Sequence, residues 1–198
     1  MKTVFFDIDS QLDFLCPAGA LYVPGAERLV PAIARLNRWA ASQSIPVIST
    51  ADAHAENDPE FAVWPHHCVA GTMGQHKAEA TLLEKRVVVP NVPCELSIEG
   101  AQQIVIEKQD VDMFTVPNLR GVVDRLGAQQ CVVYGVVTEI CVWFAALGLL
   151  KAGRAVTVVT DAVETLNALH SERVLGEIVA AGGRLARVDE VLAAGYRP

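Results

Sequence analysis

Residues at the ends of apolar runs, and one cluster in the loop after the second run, carry the chemistry this sequence can do. Cys141 follows the run Cys131–Val137 and opens a second apolar stretch, Glu139–Lys151. A thiol in the first turn of a helix feels the positive end of the helix dipole, which is expected to lower its pKa and favour the nucleophilic thiolate. Asp9 ends the first apolar run, with Asp7 two residues earlier and so on the same face of a strand. A carboxylate there can take a proton from a thiol. Lys108 ends another run, Ile106-Glu107-Lys108, where an ammonium beside a carboxylate and a thiol would stabilise both anions. The other chemical cluster is Asp52-Ala53-His54, then Glu60, then Trp64-Pro65-His66-His67-Cys68. In extended chain, residues i and i+2 point the same way, so Asp52 and His54 can share a cation. A later histidine, His66 or His67, would complete the set. Mixed histidine and carboxylate ligands suit Zn²⁺, Fe²⁺ or Mn²⁺.

Such residues need elements to bring them together. The pattern alternates strand and helix: strands at Thr3–Asp9, Pro46–Ala51, Arg86–Val89 (short, or an edge), Gln103–Glu107, Cys131–Val137, Ala155–Thr160 and Arg184–Val188. Helices are expected at Ala26–Gln43, Val116–Leu126, Glu139–Lys151, Ser171–Ala181 and the C-terminus, with residues 52–80 loop-like. Continuous apolar strands alternating with helices mean an α/β fold, a parallel sheet covered on both faces. Ligands then sit beyond the carboxyl ends of the strands, which here read Asp9, Asp52, Lys108, Thr138-Glu139-Ile140-Cys141 and Asp161.

The chain has 198 residues, 52% hydrophobic and 20% charged, enough apolar matter for one sizeable core spanning residues 1–198 as a single domain. A net charge of −7 disfavours nucleic acid and anionic membranes as partners, leaving a small neutral substrate. Five cysteines without regular spacing point away from a disulfide framework and toward a reducing, cytoplasmic setting. Residues 131–150 are long and apolar enough to cross a membrane, but Thr138-Glu139 interrupt them. A buried strand followed by a buried helix explains them better.

The motifs, taken in order, resemble those of the isochorismatase-like cysteine hydrolases, nicotinamidase type. Asp9-Ser10-Gln11-Leu12-Asp13-Phe14 resembles D-x-Q-x-D-F, and Ala18–Leu21 with Val23–Ala26 the segment after it. Asp52-Ala53-His54 and Trp64–Thr72 resemble the metal loop, D-x-H and W-P-x-H-C-x-x-G-T, a register that selects His67. Glu107-Lys108 resembles the lysine strand, and Gly135–Val142 the nucleophile turn G-x-x-T-[DE]-x-C-V. The resemblance implies a Rossmann-like three-layer α/β/α fold with six mostly parallel strands. It implies Asp9 as base, Lys108 as third member and Cys141 as nucleophile, a cis peptide between Val136 and Val137, and an oxyanion hole from the Val137 and Cys141 amides. It also implies one divalent metal, zinc first with iron or manganese possible, on Asp52, His54 and His67 with Glu60 as a fourth ligand.

Three positions depart from the family pattern: Leu12 replaces an asparagine, Ile140 a histidine, and Glu60 stands where many members place a histidine. Phe14, Trp64, Phe114 and Ile140 are the expected pocket walls. The implied activity is hydrolysis of nicotinamide or a close aromatic carboxamide through a cysteine thioester. The alternatives are a metal-independent amidase for carbamoyl or ureido compounds, or a catalytically silent binding domain. A homo-oligomer is compatible with the family.

Overall fold

A computed structural model describes residues 1–198. Seven parallel strands form one sheet in the order β3-β4-β2-β1-β5-β6-β7. They are β1 (Thr3–Ile8), β2 (Val47–Asp52), β3 (Arg86–Val89), β4 (Gln103–Lys108), β5 (Gln130–Gly135), β6 (Ala155–Val163) and β7 (Arg184–Ala186). The helices are α1 (Leu12–Leu15), α2 (Val30–Ser42), α3 (Leu119–Leu126), α4 (Trp143–Lys151), α5 (Ala168–Ala180) and α6 (Val188–Ala193). The expected α/β/α layering holds, with one strand more than the resemblance implied.

Because strand side chains alternate, each inner strand feeds two cores. Val4, Phe6, Ile8, Ile48 and Val133 pack with α3, α4 and α5, and Phe5, Val47, Val132 and Tyr134 with α2 and α6. The apolar stretch 131–150 resolves into β5 and α4, and no helix is long and apolar enough to cross a membrane.

From β1 the chain passes to β2 on one side, and from β5 to β6 on the other. That divergence opens a crevice beyond the carboxyl ends of β1 and β5, where α/β sheets bind ligands. The two strands must approach closely at this point. Gly135 has φ +120°, and a Cβ there would collide with the Ile8 backbone, so only glycine fits.

Element bounds differ from expectation mainly around this crevice. The helix expected at 139–151 begins instead as a π-helical turn, Thr138–Val142, ahead of α4. β6 runs three residues past Thr160, with a register shift against β5 between Val133 and Gly135. α5 starts at Ala168 because the Asn167 side chain caps it, accepting from His170 N–H at 3.1 Å.

Candidate active site

Asp9 leaves β1 in a left-handed conformation, φ +47°, uncommon for a residue other than glycine and a mark of functional sites. The turn separates it from Asp7. Asp7 faces the α2 side, accepts from Asn37 Nδ2 and Ser49 Oγ at 3.1 Å each, and lies 3.5 Å from Lys77. The expectation that the two acids share a face is therefore corrected. Asp9 is fully buried. Its Oδ1 accepts from the Thr50 hydroxyl at 2.6 Å, and its Oδ2 lies 3.0 Å from Lys108 Nζ. Lys108, at the end of β4 and 1% exposed, also donates to Asp52 Oδ1 and to the Asp110 carbonyl, and lies 3.8 Å from Cys141 Sγ.

Asp9, Lys108 and Cys141 thus converge from three different strand ends. Burial works against the Lys108 ammonium, but Asp52, Asp9 and Cys141 together hold its pKa well above the ordinary lysine value. Burial pushes the Cys141 thiol well up, against the pull of Lys108, and Asp9 and Asp52 add to the rise. These effects work against the lowering expected from a helix N-terminus. Cys141 sits in a π-helical turn, enclosed and facing two carboxylates.

The peptide between Val136 and Val137 is cis, as expected. Val136 N–H donates to Ile8 O at 3.0 Å, Thr138 N–H to Glu164 O at 2.8 Å, and the Val137 N–H between them to no protein group.

The loop after β2 folds back on itself. His54 and Val69 form a parallel bridge, with His54 N–H donating to Cys68 O at 3.1 Å and Ala70 N–H to His54 O at 2.9 Å. Two side chains near α1 hold it. Gln11 clamps the Asp52 backbone, donating to its C=O at 2.8 Å and accepting from its N–H at 2.7 Å. Asp13 accepts from Cys68 N–H at 2.7 Å and Ala20 N–H at 2.8 Å. The fold-back brings ligand atoms of Asp52, His54 and His67 within 4.8 Å of one another, all three side chains buried. The histidine Nε2 atoms each lie 3.9 Å from Asp52 Oδ2.

A divalent ion fits this set. His67 Nδ1 is 2.7 Å from Pro65 O, so it carries the proton and leaves the Nε2 lone pair facing Asp52. Burial lowers the His67 pKa and favours that neutral form. His54 Nδ1 lies 3.1 Å from Asp58 Oδ2, the carboxylate relation that orients metal-binding histidines, and its Nε2 has no hydrogen-bond partner. Two buried carboxylates, Asp9 and Asp52, also share the single cation of Lys108. Glu60 lies outside the group of three. It lines the same cavity, half-buried, its pKa raised first by burial and then by Asp52.

Between these groups lies a narrow cavity of about 30 Å³. Of the expected walls, Phe14, Trp64 and Ile140 line it, together with His67. Phe114 does not. Its ring packs against Gly148 of α4, on the far side of that turn, and Val111 is the wall from this segment. Leu21, Val136 and Leu166 complete the lining. Sequence reasoning missed Thr50, Leu21, Val111 and Leu166, because a strand threonine and loop aliphatics carry no chemical signature.

A parallel sheet that gathers a buried cysteine, aspartate and lysine at its carboxyl edge has the parts of a cysteine hydrolase. The isochorismatase domain matches residues 3–190, and the chain belongs to that family. It is 27% identical over 201 residues to a nicotinamidase of Escherichia coli strain K12, covering 90% of this chain and 91% of the relative. With a nicotinamidase of Acinetobacter baylyi it shares 24% over 180 residues, covering 81% of this chain and 80% of the relative. The crystal structure of the Pyrococcus horikoshii pyrazinamidase in complex with zinc superposes with a TM-score of 0.81 at 26% identity, over 94% of this chain and 99% of that one. In this company the chain is an amide-hydrolysing enzyme.

Proposed function

We propose that the protein hydrolyses nicotinamide or a close aromatic carboxamide to the acid and ammonia through a thioester on Cys141. The observation that carries this reading is that Cys141, Asp52 and His67 line one small, mostly apolar cavity, with Asp9 and Lys108 behind the thiol and His54 behind the other two.

Asp9 takes the Cys141 proton as sulfur attacks the amide carbonyl. Proton transfer is placed in the attacking step because burial and the two carboxylates hold the sulfur toward its neutral form. The Thr50 hydroxyl holds one oxygen of Asp9 and Lys108 the other, so the carboxylate is oriented before substrate arrives. The Val137 and Cys141 amides receive the developing oxyanion. Asp9 then returns its proton to the departing ammonia. It next accepts a proton from the water that attacks the thioester carbonyl, and passes that proton to the Cys141 sulfur as the C–S bond breaks and the acid leaves. Lys108 remains charged throughout and compensates the carboxylates. Asp52, His54 and His67 would hold a divalent ion, which supplies a Lewis-acid anchor for a ring nitrogen. Phe14, Trp64, Val111 and Ile140 enclose a flat ring and exclude water.

The cavity lining contains no arginine or lysine, which favours a neutral amide over a carbamoyl or ureido acid, whose carboxylate needs a cationic partner. The test is ammonia release across a panel of nicotinamide, pyrazinamide, benzamide and an N-carbamoyl amino acid, alongside metal analysis. Turnover highest with the pyridine and pyrazine amides supports the reading. Preference for the N-carbamoyl acid, or full activity in metal-free protein, contradicts it.

A further inference from the structure

The segment Glu164–Asn167, between β6 and α5, rests on the two residues that precede the Ile140–Cys141 pair. Thr138 donates twice to the Glu164 carbonyl, from its N–H and its hydroxyl, each at 2.8 Å. Glu139 takes three bonds. One carboxylate oxygen accepts from the Thr165 hydroxyl at 2.6 Å, and the other from the backbone N–H groups of Leu166 at 3.0 Å and Asn167 at 2.8 Å. Leu166, presented by this staple, lines the cavity with Cys141 and Ile140 while remaining 42% exposed. It therefore stands at the cavity mouth, partly in solvent.

We infer that Leu166 is a specificity-determining wall which limits the size of the amide reaching Cys141, and that Glu139 is the positioning residue holding it there. The inference rests on the Cys141 amidase reading for its consequence in turnover, but access to Cys141 is measurable without any substrate. Three bonds to an ionised carboxylate are of the stronger kind. Two of them fix backbone N–H groups, so they set where Leu166 sits rather than merely contacting it. Aliphatic contacts alone would leave a 42%-exposed leucine free to swing aside. If removing the carboxylate leaves the closed wall populated about a tenth of the time, apparent affinity for a small substrate falls about tenfold. Asp9 and Lys108, built on other strand ends, keep their positions.

The test compares wild type, Glu139→Ala, Glu139→Gln and Leu166→Ala. Iodoacetamide and the bulkier N-phenylmaleimide label each protein, and peptide mass analysis reads Cys141 apart from the exposed Cys16 and Cys94. Kinetics with nicotinamide and with quinoline-3-carboxamide, its fused-ring analogue, run in parallel. Leu166→Ala and Glu139→Ala should raise the bulky-to-small labelling ratio at Cys141 by about tenfold and shift preference toward the fused-ring amide. In Glu139→Ala, KM for nicotinamide should rise about tenfold with a smaller loss of kcat. Glu139→Gln, which keeps an acceptor for both backbone N–H groups, should restore KM. Should Glu139→Ala fail to fold, Leu166→Ala decides alone, since it changes one exposed loop side chain. A labelling ratio in Leu166→Ala within about twofold of wild type overturns the inference. So does a kcat loss in Glu139→Ala that KM does not share. Wild type that releases no ammonia from nicotinamide counts against the substrate reading, and the labelling ratio still judges the wall.

Discussion

At the residue scale the site is a problem in buried charge. One ammonium, Lys108, faces the carboxylates of Asp9 and Asp52 and the Cys141 sulfur, all out of water. Replacing Lys108 with methionine keeps the stem volume but strands two buried acids. It should cost about 3–5 kcal/mol, read from chemical denaturation, and abolish turnover. Asp9→Asn makes a sharper distinction. Asp9 raises the Cys141 pKa in the resting enzyme, so removing its charge should leave Cys141 alkylation at neutral pH at least as fast as in wild type. Amide turnover should nevertheless be lost, because the amide cannot accept the proton. Slower alkylation would mean that Asp9 ionises the thiol before substrate binds. Asp9, Lys108 and Cys141 were legible as candidates because each stands at or just past the end of an apolar run, and the family resemblance supplied their roles. The raised thiol was not, because enclosure of Cys141 by three other strand ends is a tertiary fact. Phe114 was misplaced for a similar reason: one aromatic residue reads the same whether it faces a pocket or a helix.

Elements position these residues through a few close approaches. The β1–β5 contact at Gly135 brings Asp9 and the Cys141 turn to one crevice. Gly135→Ala should destabilise the protein by about 1–3 kcal/mol from overpacking alone, with further strain from its positive φ. Unchanged thermal and chemical stability in this variant would contradict that packing. The strand and helix pattern told where β1, β2, β4 and β5 end. It could not show the π-helical turn, since 3.6-residue spacing and a one-residue bulge look alike over five residues. Nor could it show how residues 52–70 fold. That loop is set by side chains clamping backbone, Gln11 on Asp52 and Asp13 on Cys68, and such bonds leave no periodic trace. The histidine and aspartate spacing still marked Asp52 and His54 with His66 or His67, because chemistry rather than periodicity marks them, and the register of the family resemblance chose His67.

At the scale of the whole molecule, two helix-covered faces leave one sheet edge for function, and every group invoked here lies along it. The strand count exceeded the family expectation by one, although the apolar runs themselves had marked seven positions. An ion bound by Asp52, His54 and His67 ties β2 to the folded-back loop, so it should stabilise the fold as well as the substrate. Chelator-treated protein should unfold at lower temperature. Restoring zinc at about a hundredfold its Kd should recover about 2.7 kcal/mol. No change in thermal unfolding on chelation would argue against a resident ion. The central claim is tested most directly by ammonia release from nicotinamide, measured side by side for zinc-loaded wild type and Cys141→Ala. Wild type should turn over continuously and the variant at less than about 1% of its rate, since losing a nucleophile costs several decades. Ammonia release by the variant at a rate near wild type, or none from wild type, would contradict the account.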